Sequence, residues 1–87
     1  MARVIAKDRV QLVWADASAN EDGFAIERCR NRGCSNFVEI ARVMPNTTVY
    51  LDRGLLANTQ YYYRIRAFNT GGTSAYSGVV SVKTLRN

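Results

Sequence analysis

Apolar residues along the chain recur with period two, not with the period near 3.6 of a helix. Val10, Leu12 and Trp14 alternate with Gln11 and Val13, and Phe24 and Ile26 alternate with Ala25 and Glu27. Tyr61, Tyr63, Ile65 and Ala67 alternate with Tyr62, Arg64 and Arg66. Shorter runs cover residues 3–6, 49–51 and 79–82. Two of these have an open phase: Val49 and Leu51 against Tyr50, and Val80 and Val82 against Val79 and Ser81. In residues 37–43, Val38 and Ile40 share one parity while Phe37 and Val43 share the other. A bulge or a place at a sheet edge buries both sets. Between the runs lie ADASANEDG, RNRGCSN, MPNTT, DRGLLANT and NTGGTS, rich in the Asn, Asp, Ser, Gly and Thr that turns require. About seven short strands at this spacing predict an antiparallel sandwich.

The 87 residues make one domain. A chain this short buries only about 60–65% of the surface its unfolded form exposes. Its stability margin is therefore thin, and a cross-link matters. No apolar run approaches the roughly 18 residues of a membrane span. The opening MARVIAKDRV has no apolar region of a secretory signal. That leaves a cytosolic protein or a domain of a longer precursor. The net charge is +5, and all but Lys7 and Lys83 of the basic residues are Arg. Such a charge attracts anions only where it clusters. With no histidine in the chain, the commonest general base and metal ligand is missing.

A set of motifs then falls into order. VQLVWAD carries Trp14; EDGFAIER follows; YLDRGLLANTQYYYRIRAFNTGGTSAYS carries Leu55, Thr59 and Tyr61 and then an Asn, Gly and Ser loop. In this order and spacing the chain resembles the fibronectin type III domain over nearly its whole length. EDGFAIER is similar to the third strand of bacterial members. The resemblance implies an all-β, seven-stranded antiparallel immunoglobulin-like sandwich spanning residues 1–87. In it Trp14, Leu55, Tyr61, Tyr63 and Ile65 belong to the core, and Tyr61 is a tyrosine corner bonding backbone in the preceding turn. Two departures stand out. Ala57 replaces the usual proline, and the first strand begins partway along, as at a chosen domain boundary or an edge completed by a neighbour. The Arg-Gly-Asp tripeptide of some animal members is absent; Asp52-Arg53-Gly54 has the wrong order and loop.

Cys29 and Cys34 flank the four-residue turn Arg30-Asn31-Arg32-Gly33. Positions on either side of a hairpin turn face each other within disulfide range. A structural disulfide is the favoured reading, worth roughly 2 kcal/mol for so small a loop, and it implies export. The hairpin resembles that of secreted bacterial members. Free thiols in a reducing compartment are the second reading. A metal or redox site is the third, weakened by the lack of histidine, of a second pair and of Cys-x-x-Cys.

Catalytic sets are absent from the sequence. No Ser-His-Asp arrangement is available, and Asp16, Glu21 and Asp22 read as solvated turn residues. That loop holds too few oxygen ligands for calcium. Gly71-Gly72 lacks the helix and lysine of a phosphate loop. Asn46-Thr47-Thr48 fits a glycosylation sequon and reads as an ordinary turn. No cofactor is implied. One candidate partner face remains. By alternation Tyr62, Arg64 and Arg66 project away from the core, and the turn arginines Arg30 and Arg32 extend that face. In the resembled fold Glu27 shares it, across from an arginine, and a cross-strand ion pair of about 0.2–1 kcal/mol is the plainer explanation.

The expected function is thus a non-catalytic extracellular module, bacterial by its motifs. It acts as a spacer or a protein or glycan contact domain beside neighbouring domains of a secreted or surface protein, as a monomer and without membrane insertion. A polyanion-binding module using Arg64, Arg66, Arg30 and Arg32 is the alternative, with nucleic acid the weaker ligand because no outward aromatic row beyond Tyr62 and Phe68 accompanies the arginines. A structural subunit assembling through its first strand is another. An engineered scaffold is disfavoured, since the loops lack Tyr and Trp enrichment.

Overall fold

The computed structural model describes residues 2–14, 22–44, 47–69, 71–73 and 79–86. Its strands are β1 (Ala2–Ala6), β2 (Arg9–Val13), β3 (Gly23–Arg30), β4 (Val38–Val43), β5 (Val49–Asp52), β6 (Gln60–Asn69), the two-residue β7 (Gly72–Thr73) and β8 (Val80–Lys83). Among the described residues this makes seven strands of four residues or more and one short stub, with no helix. One antiparallel sheet has the order β1-β2-β5. The other runs β4-β3-β6, and β6 then pairs β7 at its end and β8 at its start.

Register settles the open phases. Val10 lies opposite Asp52 and Leu12 opposite Tyr50. Tyr50 and Asp52 therefore face inward with the buried Val10 and Leu12, and Val49 faces out. Asp52 thus closes β5 as a buried residue, where the sequence pattern had it opening a turn. On β4 both expected devices operate. β4 is an edge strand, and Ile26 pairs Ala41 while Glu27 pairs Glu39, so Ile40 is an extra, bulged residue. Parity switches there, and Ile40, Ala41 and Val43 all pack on the core.

The core joins Val10 and Leu12 of β2, Phe24 and Ile26 of β3, Leu55, and Tyr61, Tyr63 and Ile65 of β6. Each such side chain contributes about 1.5–3 kcal/mol on burial. Trp14 flanks this cluster rather than filling it. It follows the last residue of β2 and is half-buried, with its ring edge-on to Phe24 at 5.7 Å. The indole Nε1 is buried and has no hydrogen-bond partner among the described residues.

Two polar devices fix the turn before β6. The Tyr61 hydroxyl accepts the Leu56 N–H at 2.8 Å, which makes Tyr61 a tyrosine corner. Thr84, buried after β8, donates its hydroxyl to the Leu56 carbonyl at 2.6 Å and accepts the Thr59 N–H at 2.9 Å. At the hairpin between β3 and β4, Cys29 and Cys34 are joined by a disulfide with Cα atoms 6.1 Å apart. The enclosed turn needs positive φ at Asn31 and Gly33, which Asn tolerates and Gly adopts freely.

Candidate functional site

The outer face of the larger sheet carries Tyr62, Arg64 and Arg66, as alternation requires, but it is not open. β3 and β6 are its inner strands, and their register sets Glu27 opposite Arg64 and Ala25 opposite Arg66. Arg64 Nε donates to Glu27 Oε1 at 2.9 Å, and its Nη2 lies 2.8 Å from the same atom. Arg66 Nη2 reaches Glu27 Oε2 at 3.8 Å. Glu27 is only 8% exposed along its side chain. From the edge strand, Arg42 bonds Glu39 at 2.9 Å. Two phenylalanines extend the array: Arg64 stacks over Phe37 at 4.2 Å, and Arg42 over Phe68 at 4.6 Å. These are cation–π contacts in which each guanidinium lies on an aromatic face. The arginines that looked available to a partner are thus engaged by their own sheet. Phe37, Glu39 and Arg42 were not legible as members, because the bulge in β4 hides their phase.

A second polar group lies between the sheets. Arg28 Nη1 donates to both carboxylate oxygens of Asp52, at 3.0 and 2.8 Å. The Tyr63 hydroxyl donates to Asp52 Oδ2 at 2.7 Å. Arg28 also stands over the Tyr61 ring, 5.6 Å from its centroid. Asp52 belongs to β5 and the other two to β3 and β6, so the group ties one sheet to the other. Burial first, and then the Asp52 carboxylate, push the Tyr63 phenol well above its ordinary value. Burial works against the Arg28 charge, and Asp52 outweighs it, so the guanidinium is held above its usual range. Sequence did hold a signal: Arg28 shares parity with Phe24 and Ile26, and a core Tyr63 needs a partner for its hydroxyl.

The third feature is one end of the sandwich. Leu55 N–H bonds the Asp8 carbonyl, Asn31 N–H bonds the Gln60 carbonyl and Asn58 N–H bonds the Leu85 carbonyl. The β1–β2 turn, the cysteine hairpin, the turn before β6 and the chain after β8 therefore meet at this end. It gathers Lys7, Arg9, Arg30, Arg32, Arg53, Lys83 and Arg86, all exposed. Among the described residues Asp8, beside Arg9 at 3.7 Å, and the buried Asp52 are the carboxylates there. Arg30 and Arg32 make no ion pair among the described residues. A groove of about 610 Å³ opens between the cysteine hairpin and the turn before β6, lined by Arg28, Arg30, Val38, Ile40, Leu55 and Leu56 among others.

Asp22 is exposed, and its N–H bonds the Phe68 carbonyl; Asp16, Glu21 and Asn46 lie outside the described residues. Among the described residues no three His, Cys, Asp or Glu side chains cluster as metal ligands. No helix among them is long and apolar enough to cross a membrane.

Two sheets of this order, with a tyrosine corner before β6, define an immunoglobulin-like sandwich of fibronectin type III topology. The chain has the fibronectin type III fold. It superposes on the FN1–FN3 domains of chicken CNTN1 with a TM-score of 0.87 at 17% identity, covering 98% of this chain and 30% of that one. The fn3 domain of human contactin 1 gives a TM-score of 0.87 at 16% identity, over 100% of this chain and 74% of that one. In sequence, contactin-3 of Rattus norvegicus is 30% identical over 71 residues, which are 82% of this chain and 7% of contactin-3. No family model matches. The chain thus spans a small part of the longer proteins it resembles, 7% of contactin-3 and 30% of the CNTN1 fragment.

Proposed function

We propose that the chain is a single non-catalytic domain of a larger secreted or surface protein, acting as a spacer or as a protein or glycan contact domain. The observation that carries this is its size against its relatives: the whole chain corresponds to one unit of a contactin fragment of which it covers 30%. Its hairpin disulfide supports an oxidising compartment, since cytosolic thiols stay reduced. A bacterial parent rests on the EDGFAIER strand and the cysteine hairpin alone; the relatives named above are from rat, chicken and human. The test is the isolated domain made under oxidising conditions. It sediments as a 9.8 kDa monomer and unfolds in one cooperative transition. Assembly that grows with concentration favours instead a subunit that docks through an edge strand.

Arg30 and Arg32, without an ion pair among the described residues, support a second reading, a polyanion-binding module. Arg64 and Arg66 leave that reading because they hold Glu27. Binding to heparin or single-stranded DNA that falls steeply with salt supports it, and flat or absent binding removes it.

A further inference from the structure

The groove at the basic end has an apolar floor and a cationic wall. Val38, Ile40, Leu55 and Leu56 line it, and Val38 and Leu56 remain 61% and 54% exposed. Arg28 stands in the wall with its Nη1 on Asp52. Among the described residues no acceptor is bonded to its Nε or Nη2. Arg30 is exposed on the rim without an ion pair. Among the described residues no carboxylate lines the groove; Asp52, which holds Arg28, also accepts from Tyr63, and Glu39 of β4 is taken by Arg42. The uncompensated charge at the groove is therefore positive, and an occupant must bring its own carboxylate. The exposed leucine and valine ask for an aliphatic group beside it.

Strand β4 adds a direction. It borders the groove through Val38 and Ile40 and pairs β3 on one side, with no strand among the described residues on the other. A free edge accepts an extended peptide by backbone pairing, and pockets beside it select alternate side chains.

We propose that this end of the domain binds an extended peptide segment of a partner protein, with carboxylate and aliphatic side chains close together. The aliphatic group sits on Val38, Ile40, Leu55 and Leu56. The carboxylate meets Arg30 and the open edge of Arg28 as a charge-assisted pair. The proposal rests on the reading of the chain as a contact module and names the chemistry of its partner.

The probe is a fluorescein-labelled decapeptide of alternating glutamate and leucine, followed by fluorescence anisotropy with the oxidised domain. A glutamate–serine decapeptide and heparin are compared. Wild type binds the glutamate–leucine peptide with a Kd in the micromolar range, about tenfold or more tighter than the glutamate–serine peptide. Arg30→Glu and Leu56→Asp each weaken it about tenfold, while Arg3→Glu, which makes the same charge change on β1, leaves it within about twofold. Amide shift changes in unsubstituted protein map to β4 and the turn before β6, so the result does not depend on variants that fail to fold. No binding up to about 1 mM, equal binding of both peptides, or equal loss in Arg3→Glu overturns the proposal. Heparin binding without peptide binding overturns it too, yet leaves the contact-module reading standing. A domain that assembles or unfolds non-cooperatively removes that broader reading instead.

Discussion

Removing one charge of the Arg28–Asp52 pair should cost more than removing both. Breaking a fully buried pair costs about 3–5 kcal/mol, because the survivor stays desolvated. Asp52 is 6% exposed along its side chain and Arg28 31%, so the two survivors differ. In Arg28→Leu the Asp52 carboxylate keeps only the Tyr63 hydroxyl, and the loss is about 3–4 kcal/mol. In Asp52→Leu the guanidinium turns partly to water, which reduces its penalty to about 2 kcal/mol. The orphaned Tyr63 hydroxyl adds about 1 kcal/mol, for a total near 3 kcal/mol. In the double variant no charge remains, the two leucines pack against each other, and only the hydroxyl goes unsatisfied. Its cost is about 1–2 kcal/mol. These losses are large against the roughly 4–13 kcal/mol expected of a chain of 87 residues. Urea unfolding at pH 7, with equal m-values across the four proteins, measures them. A double variant as unstable as the sum of the singles, or an Arg28→Leu cost below about 1 kcal/mol, would refute the reasoning.

Tyr63 also sets a pH dependence. Its folded pKa is raised, so the folded state binds one proton more than the unfolded state once pH passes the ordinary phenol value of about 10. Stability then falls by up to about 1.4 kcal/mol per pH unit; Tyr63→Phe lacks this contribution in urea titrations at pH 9 to 11, and equal slopes in the two proteins contradict it. Reduction of Cys29–Cys34 lowers stability by about 2 kcal/mol on the chain-entropy model, read as a lower denaturation midpoint with added dithiothreitol, while a Cys29→Ala/Cys34→Ala protein does not respond. Gly23→Ala places a Cβ against the Val43 carbonyl oxygen and 2.9 Å from the Phe68 ring, and thermal unfolding should show a loss of about 2 kcal/mol or more; a loss under about 0.5 kcal/mol means β4 moves aside freely.

Alternation made most of the sandwich readable, and it worked best where strands are long. On β6 it separated Tyr61, Tyr63 and Ile65 from Tyr62, Arg64 and Arg66 without ambiguity, because a strand of 10 residues has one phase. On β5 it was mute: four residues fit either phase until Val10 is seen opposite Asp52. On β4 a single extra residue at Ile40 defeats any strict period. The site was less legible for a different reason. A cross-strand pair such as Glu27–Arg64 follows from which strands are neighbours, which the resemblance supplied. The Arg28–Asp52–Tyr63 group joins different sheets, and no local pattern encodes which residues meet across the core. Composition suggested a basic protein. Which end is basic depends on three turns and the chain after β8 meeting, which is a fact of three dimensions.

Arg64 and Arg66 on the outer face differ from Arg30 and Arg32 at the end in one testable respect, namely whether a carboxylate already holds them. β3 is an inner strand, so Glu27 is covered from β6 by Arg64 and Arg66. Glu27→Gln keeps the shape and removes the charge that fixes them. Two charge-assisted contacts become weaker neutral ones, and with both arginines 28% exposed solvent screening limits the loss to about 1–2 kcal/mol. The same change releases positive charge on that face, so heparin affinity at low salt rises about two- to fivefold. Binding of the glutamate–leucine peptide, whose groove takes Arg28 from the opposite face of β3, stays as it was. Unchanged heparin affinity together with unchanged stability would mean that Glu27 does not hold the arginines, and Arg64 and Arg66 would return as a partner surface. A rise in heparin affinity without change in peptide affinity separates the two groups. The sheet arginines then serve the fold, and Arg30 and Arg32 at the end, which have no ion pair among the described residues, are those a partner meets.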